Sequence, residues 1–269
     1  MNEETINCTS IFLDVRNFTE LMRNFSNVPH FFELIENIYK IGLSVVSSFC
    51  KKDEYYINST GDGFLCIILG ENHYIKAYLI GLLLIQHLPS FFDTFFELHK
   101  KCKPSEGQYY FGIGMESGYV KQVKTPLIAE KHIETYLGNV INISARIESL
   151  CKDHCRAPML YGPMINNLLS ENVFNVPYNE LFSDAKDSKS QECANVDYSE
   201  MDKINHNLLS TYIYEHKLKG VNQPIPIFRI SPTQFRNLNT SNWEFLTKIP
   251  KDISMIFTSL YKQLRVIKG

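Results

Sequence analysis

Tyr55-Tyr56-Ile57-Asn58-Ser59-Thr60-Gly61-Asp62-Gly63-Phe64-Leu65-Cys66-Ile67-Ile68-Leu69 holds two apolar runs, Tyr55 to Ser59 and Phe64 to Leu69, on either side of Thr60-Gly61-Asp62-Gly63. Asp-Gly between apolar strands is a strong hairpin signal, because glycine takes the positive φ that a tight turn needs. The stretch predicts two antiparallel strands with Asp62 at the tip. Working outward, Ser10 to Val15 (SIFLDV) reads as a short buried strand carrying Asp14 at its end, followed by Asn17 and Thr19, residues that cap a helix or shape a loop. Phe32, Ile35, Ile38, Ile41, Val45 and Phe49 recur at helical spacing, which predicts a helix of about five turns from Phe31 to Cys50 packed on the sheet. Asp14 and Asp62 are the residue type that holds magnesium or manganese through hard oxygen ligands. Each also has a plain local use, Asp62 in its Asp-Gly turn and Asp14 as a helix cap.

Downstream, the pattern predicts a long helix from about Asn72 to Lys101, a strand from Tyr109 to Met115, and a further strand after Gly118. A helix from about Asn139 to Cys151 follows. The most apolar segment, Ala77 to Leu88, is short for a membrane span and contains Gln86 and His87, so it reads as a core helix. Asn179 to Asn207 is polar and reads as a surface insertion without a catalytic role. Strand-like runs return at Ser210 to Lys217 and Pro226 to Ile230, and an apolar-rich helical tail covers Ile253 to Ile267. With no repeat and no linker, residues 1–231 are expected to form one elaborated domain containing the 179–207 insertion, with 232–269 as a helical extension.

Composition narrows the function. In 269 residues, 44% hydrophobic and 13% aromatic side chains exclude a disordered chain. Twenty-seven Lys+Arg against 29 Asp+Glu give a formal charge of -2, with no excess to draw the chain onto nucleic acid or acidic lipid. Neither nucleic acid nor membrane is an expected partner, and phosphate binding would have to be local. The seven cysteines are odd in number and scattered, which suits a reducing compartment better than a disulfide framework. The opening MNEETINCTS has no basic segment leading into an apolar one, so a cytoplasmic location is expected.

Five segments recur in order: Phe12-Leu13-Asp14-Val15-Arg16-Asn17-Phe18-Thr19, Ser59-Thr60-Gly61-Asp62-Gly63-Phe64, Gly112-Ile113-Gly114-Met115-Glu116-Ser117-Gly118, Gly138-Asn139-Val140-Ile141-Asn142-Ile143-Ser144-Ala145-Arg146, and Lys219-Gly220-Val221. Together they resemble the catalytic domain of the class III nucleotidyl cyclases, the adenylate and guanylate cyclase family. The resemblance spans roughly Ser10 to Ile230. It implies an α/β (α+β) sandwich whose mainly antiparallel sheet is covered by helices. It makes Asp14 and Asp62, with the Val15 carbonyl, ligands of two divalent ions, Mn2+ or Mg2+. Backbone amides of Asn17, Phe18 and Thr19 would lie beside the phosphates of a nucleoside triphosphate at a helix start. Asn142 and Arg146, four apart on one helix face, match the ribose-positioning Asn and the transition-state Arg. Lys219 matches a strand-borne lysine that contacts the triphosphate. In homodimers of the family the aspartates come from one chain and the Asn and Arg from the other, so two copies related by a two-fold axis would share their sites.

Base selection departs from the family pattern. The position usually held by Lys for adenine or Glu for guanine is Asn58, and the second selecting position is Thr135, which some adenylate cyclases share. Strand alternation puts Tyr56 on the face of Asn58, where a phenol shortens the pocket and an amide both donates and accepts. In lacking purine determinants the chain resembles the bacterial Pycsar pyrimidine cyclases. That resemblance implies cyclic UMP, with cyclic CMP as the alternative, made in antiphage defence and acting on a separate effector. An adenylate cyclase with an unusual base pocket and a non-catalytic cyclase-fold binding module stay open as alternatives.

Overall fold

The computed structural model describes residues 5–25, 30–98, 110–126, 132–152, 158–174, 211–229, 247 and 249–266. The polar insertion at 179–207 lies outside them. Its centre is an eight-stranded sheet of β1 (Thr5–Val15), β2 (Tyr55–Ser59), β3 (Gly63–Leu69), β4 (Phe111–Pro126), β5 (His132–Leu137), β6 (Met159–Tyr161), β7 (Thr211–His216) and β8 (Ile225–Arg229). The order is β2-β3-β1-β4-β6-β8-β7, with β5 paired to β4. Every pairing is antiparallel except β4 with β6. The helices are α1 (Phe18–Phe25), α2 (His30–Phe49), α3 (His73–Leu98), α4 (Asn139–Leu150), α5 (Pro163–Leu169), which runs into a π turn at Ser170–Phe174, and α6 (Lys251–Val266).

β1 is buried on both faces. Ile11, Leu13 and Val15 point into the main core with α2 and α3, while Ser10 shares a 2.7 Å hydroxyl hydrogen bond with Ser144 of α4 on the other side. α3 is long and apolar enough to cross a membrane by length and composition. Here it is a core helix, touching the sheet, α2, α5 and α6, and burying Ile75 to Ile85, Leu88, Phe92, Phe95 and Phe96. α6 closes that core with Ile253, Phe257 and Tyr261.

The predicted hairpin forms, but the positive φ of its turn falls on Gly61 and not on the glycine of Asp62-Gly63, which already opens β3. Ser59 pairs with Phe64, Gly61 takes φ 103°, and the Thr60 N–H donates to the Gly63 carbonyl at 3.0 Å. Gly63 answers a second demand, because a Cβ there would meet the Leu13 carbonyl of β1. That close approach lets the Val15 N–H donate to the Asp62 carbonyl at 3.1 Å, tying the tip to the end of β1.

One expectation is corrected. The strands expected at Tyr109 to Met115 and after Gly118 are a single strand, β4, which runs unbroken through Gly118 opposite Cys8. Gly118 serves packing rather than a turn, since a Cβ there would lie 3.2 Å from Val140 of α4. Gly114 does the same one turn further along, where a Cβ would meet backbone atoms of Ser144 and Glu148. α4 is thus laid directly on β4.

Candidate active site

Asp14 stands between two glycines, paired with Gly63 of β3 and Gly112 of β4, so neither neighbouring strand sets a side chain beside its carboxyl. The Asp62 carboxyl is within hydrogen-bond reach. Burial, and then the neighbouring Asp62, push Asp14 up to about 6 from the ordinary 3.8, while Lys152 opposes the shift. The Lys152 Nζ lies 3.7 Å from Asp14 Oδ2. Val15 contributes its backbone at this point, its side chain being buried. Asn17 follows with φ 54°, and its carbonyl accepts the Leu21 N–H at 2.9 Å, so α1 begins beside the carboxylate pair. Phe18 packs its ring on Phe31 at 5.2 Å, and Thr19 is exposed in the first turn.

This arrangement has a measurable cost. The folded metal-free chain holds a proton on Asp14 that the unfolded chain releases between about pH 4 and 6, so this group's contribution to stability falls as pH rises through that window. Asp14→Asn is expected to raise the melting temperature at pH 7 in EDTA and to change it little at pH 4. Equal melting of variant and parent at pH 7 would contradict the buried, acid-paired placement.

Asn142, exposed, and Arg146, half-buried, lie along α4 on the side away from the sheet contact at Ser144. The turn between β7 and β8 comes up to Arg146: Gly220 has φ 74°, and a Cβ there would lie 3.2 Å from Arg146 Nη1. Lys219 is therefore on an exposed turn, not on a strand as expected, because the positive φ of Gly220 takes the chain out of the extended form. The structure brings Arg146 and Lys219-Gly220 together, and separately brings Asp14, Asp62, Val15 and Asn17 to Thr19 together. Among the described residues no hydrogen bond or ion pair joins the two groups. The last turn of α4 reaches the level of Asp14, and Asn142 lies about 9 Å back along the helix from Glu148.

Tyr56 and Asn58 are on β2, the edge strand, opposite Ile67 and Leu65. Asn58 is exposed. Tyr56 packs at 5.3 Å on the ring of Tyr136 in β5, within a small cluster that includes Cys8, Ile67, Leu69, Val120 and Val140. Tyr55 points the other way, against the main core. Thr135 is half-buried beside Tyr136 and pairs with Val123. Tyr136 was missed in the sequence, although its place next to Thr135 on a short strand could have marked it.

Glu148 was missed as well. It is 3% exposed, on the face of α4 turned to the sheet. Burial, and then the charge of Asp14, push its carboxyl up to about 7, while Lys152 and Arg16 pull it down. Arg16 donates from Nη2 to the Cys151 carbonyl at 2.6 Å, anchoring the end of β1 to the end of α4. The Cys151 thiol is buried and pushed up to about 12 by burial. A buried Glu116, raised to about 7 by burial, accepts N–H bonds from Ser117 and Ile165 at 2.8 and 3.1 Å and so holds the start of α5.

Two adjacent carboxylates with carbonyl oxygens nearby are a hard-oxygen donor set, and their mutual repulsion is relieved by a divalent cation. The residues fit Mg2+ or Mn2+. Among the described residues no group of three or more His, Cys, Asp and Glu side chains could hold a metal, so backbone, water or phosphate oxygens would complete the shell.

No family model matches the sequence, and no curated protein matches it. Solved structures do. The adenylyl cyclase CyaB from P. aeruginosa aligns over 86% of this chain and 96% of its own, with TM-score 0.60 and 14% identity. The guanylyl cyclase Cya2 aligns over 86% and 94%, with TM-score 0.51 and 16% identity. The guanylate cyclase domain of RhGC from Catenaria anguillulae, solved with GTP, aligns over 85% and 98%, with TM-score 0.50 and 14% identity. The chain has the fold of class III cyclase catalytic domains, a mostly antiparallel sheet covered by helices.

Proposed function

We propose that this chain is a nucleotidyl cyclase that converts a nucleoside triphosphate to its 3′,5′-cyclic monophosphate and pyrophosphate. The observation that carries the reading is the Asp14–Asp62 pair at the end of β1, beside the start of α1, on a fold shared with adenylyl and guanylyl cyclases. Asp14, Asp62 and the Val15 carbonyl would hold the divalent cations, which when bound would supply a lowered pKa for the ribose 3′-hydroxyl and neutralise charge on the leaving pyrophosphate. The 3′-oxygen displaces pyrophosphate at the α-phosphorus. Amides of Asn17, Phe18 and Thr19 bind phosphate oxygens, Asn142 orients the ribose, Arg146 stabilises charge in the transition state, and Lys219 holds the triphosphate. Two chains of a homodimer complete each site.

The base is a pyrimidine, UTP ahead of CTP. An exposed amide at Asn58 supports this, with the ring of Tyr56, packed on Tyr136, on the same face of β2. The resemblance to the pyrimidine cyclases adds a cytoplasmic role in antiphage defence through a separate effector. A purine reading has its own support, since the solved neighbours are adenylyl and guanylyl cyclases. The test is to incubate the protein with Mn2+ and ATP, GTP, CTP or UTP singly and identify products by mass spectrometry. Cyclic UMP or cyclic CMP alone is the expected result, and Asn58→Ala should then erode the preference among bases. Cyclic AMP would replace the pyrimidine assignment with the adenylate one. No product from any nucleotide would leave the fold as a binding module.

A further inference from the structure

We propose that Glu148 is a positioning residue of the Asp14–Asp62 cation site, accepting a hydrogen bond from water on the bound divalent ion without ligating the ion itself. The inference rests on the cyclase reading above. Glu148 is 3% exposed, and its Oε1 has no hydrogen-bond partner among the described residues. A buried carboxylate oxygen without a donor is unfavourable by at least the desolvation of that group, so such an oxygen calls for a ligand or water. Its location says which. A Cβ on Gly112 would meet Oε1, and Gly112 is the residue paired with Asp14 across β1 and β4. The Glu148 carboxyl therefore fills the space beside Asp14 that the missing side chain leaves.

Charge gives the same answer. Asp14 and Asp62 both act electrostatically on Glu148, as do Lys152 and Arg16. Among the described residues three acids face two cations, one of which, Lys152, is half-exposed on its side chain and already engaged with Asp14. The Arg16 Nη2 is directed to the Cys151 carbonyl. A divalent ion at the carboxylate pair would balance the acids that the described cations leave in excess. Since no three acidic side chains converge closely enough to ligate one metal among the described residues, Glu148 takes the outer position. Magnesium and manganese sites keep several waters, and carboxylates behind the direct ligands orient them.

The test reads metal binding, not turnover. Mn2+ is titrated into the metal-free full-length protein without nucleotide, and free Mn2+ is followed by electron paramagnetic resonance. Glu148→Gln, which keeps the shape, is expected to weaken Mn2+ binding about 10- to 100-fold, with no loss of melting temperature in EDTA. Glu148→Met, which also fills the space but accepts no hydrogen bond, should show the same loss. Affinity equal to the parent in both variants overturns the proposal, and so does unfolding of both in EDTA, which would assign Glu148 to helix–sheet packing. Asp62→Ala runs alongside. If Asp62→Ala also binds Mn2+ as the parent does, the metal site itself fails; if only Asp62→Ala loses binding, Glu148 alone is misassigned.

Discussion

Asp62→Ala is expected to abolish cyclic nucleotide formation, by about three orders of magnitude or more, while leaving the fold intact. The size follows from charge. A metal stabilises the transition state by several kcal/mol, and each 1.4 kcal/mol or so is tenfold in rate, so losing one carboxylate of a two-carboxylate site removes roughly a thousandfold. The fold survives because the hairpin tip is held by backbone. The Asp62 carbonyl accepts the Val15 N–H and the Thr60 N–H donates to Gly63, and neither bond uses the Asp62 side chain. The positive φ of the turn belongs to Gly61, so alanine at 62 meets no left-handed demand. Removing the Asp62 carboxyl also removes one cause of the raised Asp14 pKa, so the metal-free variant should melt no lower than the parent. Product by mass spectrometry and melting in EDTA are measured on the same preparation. Retained turnover with an unchanged melt would remove Asp62 from the chemistry.

What the chain reveals before folding depends on whether a signal is local. The β2–β3 hairpin was legible because two apolar runs flank a four-residue turn with two glycines, although the turn conformation falls on Gly61 and not on Gly63. The helices α2, α3 and α4 were legible from spacing, to within a few residues at their ends. Asp14 and Asp62 were singled out together by the five ordered segments that resemble the class III cyclases, since each alone also has a plain local use as cap or turn residue. The limits came where meaning depends on a distant partner. Gly118 looks like a break in a strand, and only the arrival of Val140 from α4 shows it as a packing site. β6 has three residues, too few to carry a period, and exists because β4 and β8 pair with it on either side. Glu148 reads on the sequence as one more acid on a helix; its burial appears only when Gly112 and Gly114 let α4 lie on β4. Lys219 was matched through a dipeptide, and Gly220 moved it from a strand to a turn.

Mixing two inactive variants is expected to restore activity, and the amount restored identifies how the site is built. Arg146→Ala should lower turnover about 10²- to 10³-fold, the range for removing a preorganised donor to transition-state charge, with little effect on Mn2+ binding, since Arg146 makes no contact with the Asp14 pair among the described residues. Each chain carries one aspartate group and one Asn142–Arg146 group with no bond between them among the described residues, and two large apolar side chains are exposed beside the start of α4. Tyr119 and Leu137 are 61% and 59% exposed there, and the Tyr119 carbonyl lies against Gly138, the residue that begins the helix. A second chain covering that region would bring its own aspartates to Asn142 and Arg146, and a two-fold axis makes two equivalent sites. In an equal mixture of Asp62→Ala and Arg146→Ala, about half of randomly paired dimers hold one chain of each kind, and each such dimer has one site with both groups intact and one with both lost. About one site in four is then whole, so the mixture should recover roughly a quarter of parental activity. If each chain instead carried a complete site, every site would hold one defect in any mixture and the activity would stay at the level of the variants alone. Co-purification through a tag on one variant shows that mixed dimers have formed, so a dead mixture with mixed dimers present would exclude the shared site.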